Sequence, residues 1–351
     1  MWTCDWDASF LTTHLLKIII EEQMGFHAET NGPGPGTLSS FYALLGCKAP
    51  GNSSDRACGQ PLTYNHISLE AWSETYQNEW KLIQSQYVSM APVDVGSMGY
   101  DGTSSVFIRK TVKNHAYYQD GIVLDFYRGW NMSWSEPSRY FAELASINRS
   151  LIVPCAETRS TMTAANENYL RITGDDAGVE RLPDGSLAAI CPDDYFWLSP
   201  TCRQDSTRCV PYVTGGSGWG MDDLMQKVTS YDMPVAIAVA RSWSTLPRDV
   251  NVFFYWWVPD TTFLDLDPVE IVFPPYDFRA YTSGDKRTVA ASTAVTKLVS
   301  QDLVTLAPSV EDLVRNLRLG RNDVMNMLKD MQDSGDSYET VACHLVNDVQ
   351  T

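Results

Sequence analysis

A chain of 351 residues, 44% apolar and 20% charged, is long enough to form two compact lobes and bury a substantial core. Its formal net charge of -17 and the absence of a Lys/Arg stripe argue against nucleic-acid binding, because a phosphate backbone would be repelled. No apolar run approaches the roughly 20 residues that cross a bilayer; Leu15–Ile20 is broken by Lys17, and Val235–Ala240 is short.

In chain order, Phe10–Met24 carries apolar residues at Leu11, Leu15, Ile18 and Ile19, and Gly25 follows, which predicts a helix and its stop. Phe26–Glu29 reads as the start of a strand, GPGPG at 32–36 as a loop, and Leu38–Leu45 as a short helix. His66–Trp72 is predicted as a strand, and Trp72–Gln86 as a helix or a helix plus turn. The stretch VDVGSMGYDGTSSVFI at 93–108 suggests sharp turns, with amides near Gly96, Gly99 and Gly102 left for a ligand. It lacks the Gly-Lys-Ser/Thr ending of a phosphate loop. Lys110–Gly129 is strand-poor, Glu136–Ser146 resembles a helix, and Leu151–Val153 a strand. Thr158–Pro211, with its GDDAG, LPDGS and CPDD turns, reads as an irregular insertion pinned by disulfides. GGSGWG then opens a helix near Met221–Thr229, and Pro234–Arg241 and NVFFYWWVP are strand candidates. Ala290–Leu303, Ser309–Leu317, Arg321–Met331 and Tyr338–Val349 are helical by period. Alternating strands and helices favour an α/β class.

Cys4, Cys47, Cys58, Cys155, Cys191, Cys202, Cys209 and Cys343 form no CxxC, and no His sits at metal-ligand spacing from them. No metal and no other cofactor is expected. Cys47 and Cys58 bracket one loop and Cys202 and Cys209 another, which reads as local staples in an oxidising, extracytoplasmic compartment; eight free thiols is the alternative. Sequons at Asn52, Asn131 and Asn148 fit a secreted glycoprotein. Met1 leads straight into WTCDWD, so no signal peptide is expected in these residues.

Eleven tryptophans is a high count, and four stand in loop-like contexts: Trp6 before the first helix, Trp72 at a strand end, Trp219 between glycines, and Trp257 just before Pro259. Indole faces attract cations, and several rings around a quaternary ammonium form a cage. Each ring taken alone reads more simply as core packing. In the run Phe253–Trp257, alternation puts Tyr255 and Trp257 on one strand face and Phe254 and Trp256 on the other, so that one face can pack in the core and leave the other free. Glu70, Asp7, Asp222 and Asp223 are read as helix caps and solvated acids. No nucleophile elbow, HExxH, Walker or dinucleotide motif is present, so no enzyme is expected.

Taken together and in order, WDASFLTTHLLKIIIEEQMGF, LEAWSETYQNEW, GSMGYDGTSSVFI, GGSGWG and VFFYWWVPD resemble the substrate-binding proteins of ABC importers for glycine betaine, proline betaine and choline. The resemblance implies a two-lobed, Venus-flytrap fold of the periplasmic-binding-protein type with ligand held between the lobes. It implies lobe 1 at 1–105 plus 275–351 and lobe 2 at 106–274, the latter with the Cys-rich insertion at about 155–211. Carried over by position, Trp6, Trp72, Trp219 and Trp257 match cage walls and Tyr100 is a further candidate. Ala8 and Ser9 would serve a ligand carboxylate, and Asp7 would balance a cationic head or bind a hydroxyl. The implied partners are a small cationic or zwitterionic ligand and an ABC transporter membrane component or fused membrane domain. The insertion, the Cys47–Cys58 loop, the sequons and Asp260 depart from the bacterial pattern and point to an alternative, the ligand-sensing ectodomain of a eukaryotic surface receptor.

Overall fold

The structure, a computed structural model, describes residues 1–52, 57–58, 63–157, 166–183, 185, 187–215, 220–242 and 245–350. The chain divides into two compact units. The first is Met1–Thr103 with Val258–Thr261 and Ser292–Thr351; the second is Ser104–Trp257 with Thr262–Ala291.

In the first unit, strand β1 (Trp2–Cys4) leads into helix α1 (Asp7–Met24) and pairs in parallel with β2 (Asn31–Gly34). Leu11, Leu15, Leu16, Ile18 and Ile20 give α1 its buried stripe. Gly25, at φ 73°, closes the helix by returning its N–H to the Ile20 carbonyl, a conformation that costs glycine little. The strand expected at Phe26–Glu29 is absent: this exposed segment pairs with nothing regular, and pairing begins instead at Asn31 and runs into the glycine-proline stretch read as a loop. Gly34 makes that possible. A Cβ there would lie 2.3 Å from the Ser39 hydroxyl oxygen and 2.4 Å from the Trp2 ring. Helix α2 (Gly36–Leu44) follows, then β3 (Ile67–Ala71), a 3-10 turn at Ser73–Tyr76 and helix α3 (Gln77–Gln86).

The glycine-rich 93–108 stretch is not a set of turns but most of one strand, β4 (Val93–Arg109), with Gly96 and Gly99 at positive φ where its register slips. The helix predicted over Ala290–Leu303 is likewise replaced, by a strand at Thr293–Val299 and a short helix at Gln301–Leu306. Thr293, Val295, Thr296 and Val299 are β-branched and favour the strand, which lies antiparallel between β3 and β4 and is buried from Val295 on. Lys297 is buried there. It donates to the Arg315 and Leu317 carbonyls at the C-terminal end of the helix Pro308–Asn316, and Arg318 donates to the same two. Phe41, Leu44, Leu45, Ala71, Ile83 and Leu298 form one core of this unit.

In the second unit, Val210–Thr214 is flanked in parallel by Val235–Ala240 and Phe253–Val258. Trp197–Leu198 and Ile152–Val153 add antiparallel to Val235–Ala240. Alternation sorts the core cleanly. Tyr212, Ile237 and Phe253 enter one cluster, and Val213, Ala236, Ala238, Phe254 and Trp256 enter another. Phe254 and Trp256 thus share a core face as expected, and Tyr255 packs with Phe253. Helix Lys110–Asp120 supports this unit.

Glu136–Ser146 forms two 3-10 turns, Pro137–Tyr140 and Leu144–Ser146, rather than a helix; Phe141 N–H closes on Ser138, an i−3 bond. The described part of 158–211 is more regular than its composition implies. It holds a helix at Asn166–Thr173 and a hairpin of Val179–Arg181 with Leu187–Ala189, besides the Trp197–Leu198 strand. Cys47–Cys58 and Cys202–Cys209 are bonded as the loops suggested, and Cys155–Cys191 is a third disulfide. Cys4 and Cys343 are free, and Cys4 is buried.

Candidate functional site

Three side chains from separate elements of the first unit meet at one carboxylate. Trp6 is the residue before α1, held extended at φ −136° and ψ 153°, and its carbonyl accepts from the Ser9 and Phe10 amides. Its indole Nε1–H donates to Glu70 Oε2 at 2.6 Å. Tyr100, on β4, donates its hydroxyl to Glu70 Oε1 at 2.9 Å. Glu70 sits in β3, every residue of which is buried, and is itself only 1% exposed. Burial pushes its carboxyl up to about 7, and the buried Asp260 carboxylate adds to the push, while the Trp6 and Tyr100 hydrogen bonds pull the other way. The same burial, reinforced by Glu70, carries the Tyr100 phenol well above its ordinary range.

Trp72 follows β3 directly and is half-buried, its amide held by the Thr37 hydroxyl at 3.0 Å. Its six-membered ring covers Gly102 so closely that a Cβ on Gly102 would stand 2.2 Å from it. Glu70 and Trp72 are two residues apart, as are Tyr100 and Gly102, so both contacts join the same two stretches of chain. The glycine at 102 therefore serves to admit an indole rather than to make a turn.

Asp7 is already occupied by protein donors. Tyr338 gives its hydroxyl to one oxygen at 2.7 Å and Thr261 gives its own to the other. The Tyr338 ring stacks on Phe10 with centroids 4.9 Å apart. Ser9 is buried, and its hydroxyl accepts from the Cys4 amide at 2.9 Å while its N–H bonds Trp6. Asp7 and Ser9 thus fix the turn that presents Trp6.

In the second unit, Trp257 is the next-to-last residue of the aromatic strand Phe253–Val258 and is 7% exposed. Its ring lies parallel to that of Trp256, with centroids 5.2 Å apart at 5°, so one indole face is covered by its neighbour. Trp219 lies outside the described residues. A pocket of about 40 Å³ in this unit is lined by Ser104, Asp223, Lys227, Tyr255 and Phe273. That volume takes about two or three waters, not a trimethylammonium group.

Sequence reasoning had set Glu70 aside as a solvated or capping acid. The available signal was its setting, a lone acid inside the otherwise apolar ISLEA strand, where a carboxylate needs donors. Tyr338 and Thr261 carried no sequence signal, since their partner Asp7 lies hundreds of residues away.

Residues 213–348 match the family described as the substrate binding domain of ABC-type glycine betaine transport system. Among solved structures, an ABC-transporter choline binding protein in complex with choline is similar over 100% of this chain and 88% of its own, at 11% identity and a TM-score of 0.50. Lactococcal OpuAC in its closed form with glycine betaine matches over 99% and 94%, at 11% identity and 0.49. ProX, the glycine betaine/L-proline-binding protein from Borrelia burgdorferi, matches over 98% and 91%, at 11% and 0.48. The first of these establishes the α/β periplasmic-binding-protein fold class. No curated protein matches the chain in sequence.

Proposed function

Because residues 213–348 match the substrate binding domain of ABC-type glycine betaine transport system, we propose that this chain reversibly binds a small quaternary ammonium compound through an aromatic cage. The family is non-catalytic, works with ABC transporter membrane components and acts outside the cytoplasm. Among the described residues, no helix is long and apolar enough to cross a membrane.

The observation that carries the reading is the convergence of Trp6 and Tyr100 on Glu70 with Trp72 alongside in the same unit. A quaternary ammonium has no N–H to donate, so ring faces and a nearby negative charge are its natural partners. The cage walls in this proposal are Trp6, Trp72 and Tyr100, with Asp7 and Ser9 orienting Trp6. In the second unit, Trp219 and Trp257 stay candidates on the sequence resemblance alone. Titration calorimetry with choline and with glycine betaine tests it: saturable heat with at least one is expected, and no heat with either removes the reading.

We also propose glycans at Asn131 and Asn148. Asn148 is exposed and Asn131 half-exposed, and each side-chain oxygen accepts the amide of the serine two residues on. Expression through a eukaryotic secretory route should give a mass that falls on enzymatic deglycosylation. An unchanged mass rejects the assignment. Asn52 is exposed too, but its sequon runs into residues outside those described.

A further inference from the structure

Glu70 is more than a clasp for two aromatic side chains. Trp6 Nε1–H is a donor only, so the bond to Oε2 persists whether or not Glu70 carries a proton. Tyr100 differs, because a phenol hydroxyl can donate or accept. It donates to Oε1 of the ionised acid and can accept from Oε1–H of the neutral acid, at the same 2.9 Å contact. The local geometry therefore tolerates both protonation states without moving Trp6. What changes between them is one unit of negative charge behind the aromatic walls.

Resting on the proposed cage, we propose that Glu70 is the specificity-determining residue of the site: a net cation binds in exchange for the Glu70 proton, which favours choline-like ligands over net-neutral betaines. The exchange balances. Neutral Glu70 and a ligand of charge +1 give a carboxylate–cation pair, and the proton leaves Oε1 for solvent. A zwitterion brings its own carboxylate and offsets what the ionised Glu70 offers, so it gains less from that exchange.

The groups that face Glu70 agree with this direction. Asp260, 2% exposed, is the acid whose charge bears on it; Trp6 and Tyr100 donate to it; and the buried Cys4 thiol, on which the Glu70 charge acts, is itself pushed up to about 12 mainly by burial. No Lys, Arg or His figures among the groups that shift Glu70. With its carboxyl held near 7, Glu70 is mostly protonated in the empty site below neutrality, and a bound cation draws it toward the ionised form.

Calorimetry of the full chain with choline chloride and with glycine betaine, in two buffers of different ionisation enthalpy at about pH 6, reads the exchange directly. Choline is expected to release close to one proton and glycine betaine distinctly fewer. The choline dissociation constant should fall by up to about tenfold per pH unit from about pH 5 to about pH 7, then level off. Glu70→Gln, checked for folding by its thermal transition, should abolish that pH dependence and weaken choline more than glycine betaine. Equal binding of both ligands without proton release overturns the inference and leaves the cage standing. Failure of both ligands to bind the unaltered protein removes the cage itself.

Discussion

Trp130→Ala is expected to lower the free energy of unfolding by about 3–5 kcal/mol, the largest single loss we expect from any aromatic residue in the second unit. Trp130 is completely buried and touches Phe141 and Phe253 with ring centroids 5.5 and 5.0 Å away. Its indole N–H donates to the Leu124 carbonyl at 2.8 Å. Truncation would open a cavity in a core that cannot collapse around it, and would also strip a buried carbonyl of its donor. Trp130→Phe separates the two contributions: it keeps most of the ring and loses the hydrogen bond, at about 1–2 kcal/mol. Urea unfolding of the three proteins measures the series. Alanine and phenylalanine variants equal in stability would mean that the ring packing contributes nothing, contrary to this account. Choline affinity of the folded Trp130 variants should stay as in the unaltered protein.

Why some features could be read from the sequence and others not follows from the range of the interactions behind them. Helix α1 and its Gly25 stop were legible because both depend on neighbours within a few residues. The alternation at Phe253–Trp256 was legible for the same reason: period two is a property of any strand. The helix expected at Ala290–Leu303 failed because a local period competed with two distant partner strands, and the ladder with β3 and β4 won. In the candidate site the tryptophans were visible as residue types, yet their function depends on what holds them. Glu70 lies 64 residues from Trp6 and 30 from Tyr100, and no spacing rule links the three. The Trp256–Trp257 ring stacking is a contact that alternation alone does not foretell.

Trp6→Ala is expected to weaken choline binding by about 2 kcal/mol or more, roughly thirtyfold, because a desolvated indole face is among the strongest uncharged partners for a quaternary ammonium. Unlike Trp130, Trp6 is only half-buried, so the loss should appear in affinity and much less in unfolding. Trp6→Phe makes the argument sharper. It keeps an aromatic face but removes the N–H that reaches Glu70 Oε2, one of the two bonds holding that carboxyl down. Glu70 should then titrate further above its ordinary range, so choline affinity falls most below neutral pH and recovers as the pH is raised. Trp72 can be tested without touching its own ring. Gly102→Val places a side chain where the indole now lies, 2.2 Å from a modest Cβ alone, and must lift Trp72 away from β4. If Trp72 is a wall of the cage, Gly102→Val should cost affinity as Trp72→Ala does, and the double variant should cost little more than either, because both remove the same surface. Additive losses in calorimetry would show that Gly102 and Trp72 act separately and would take Trp72 out of the cage.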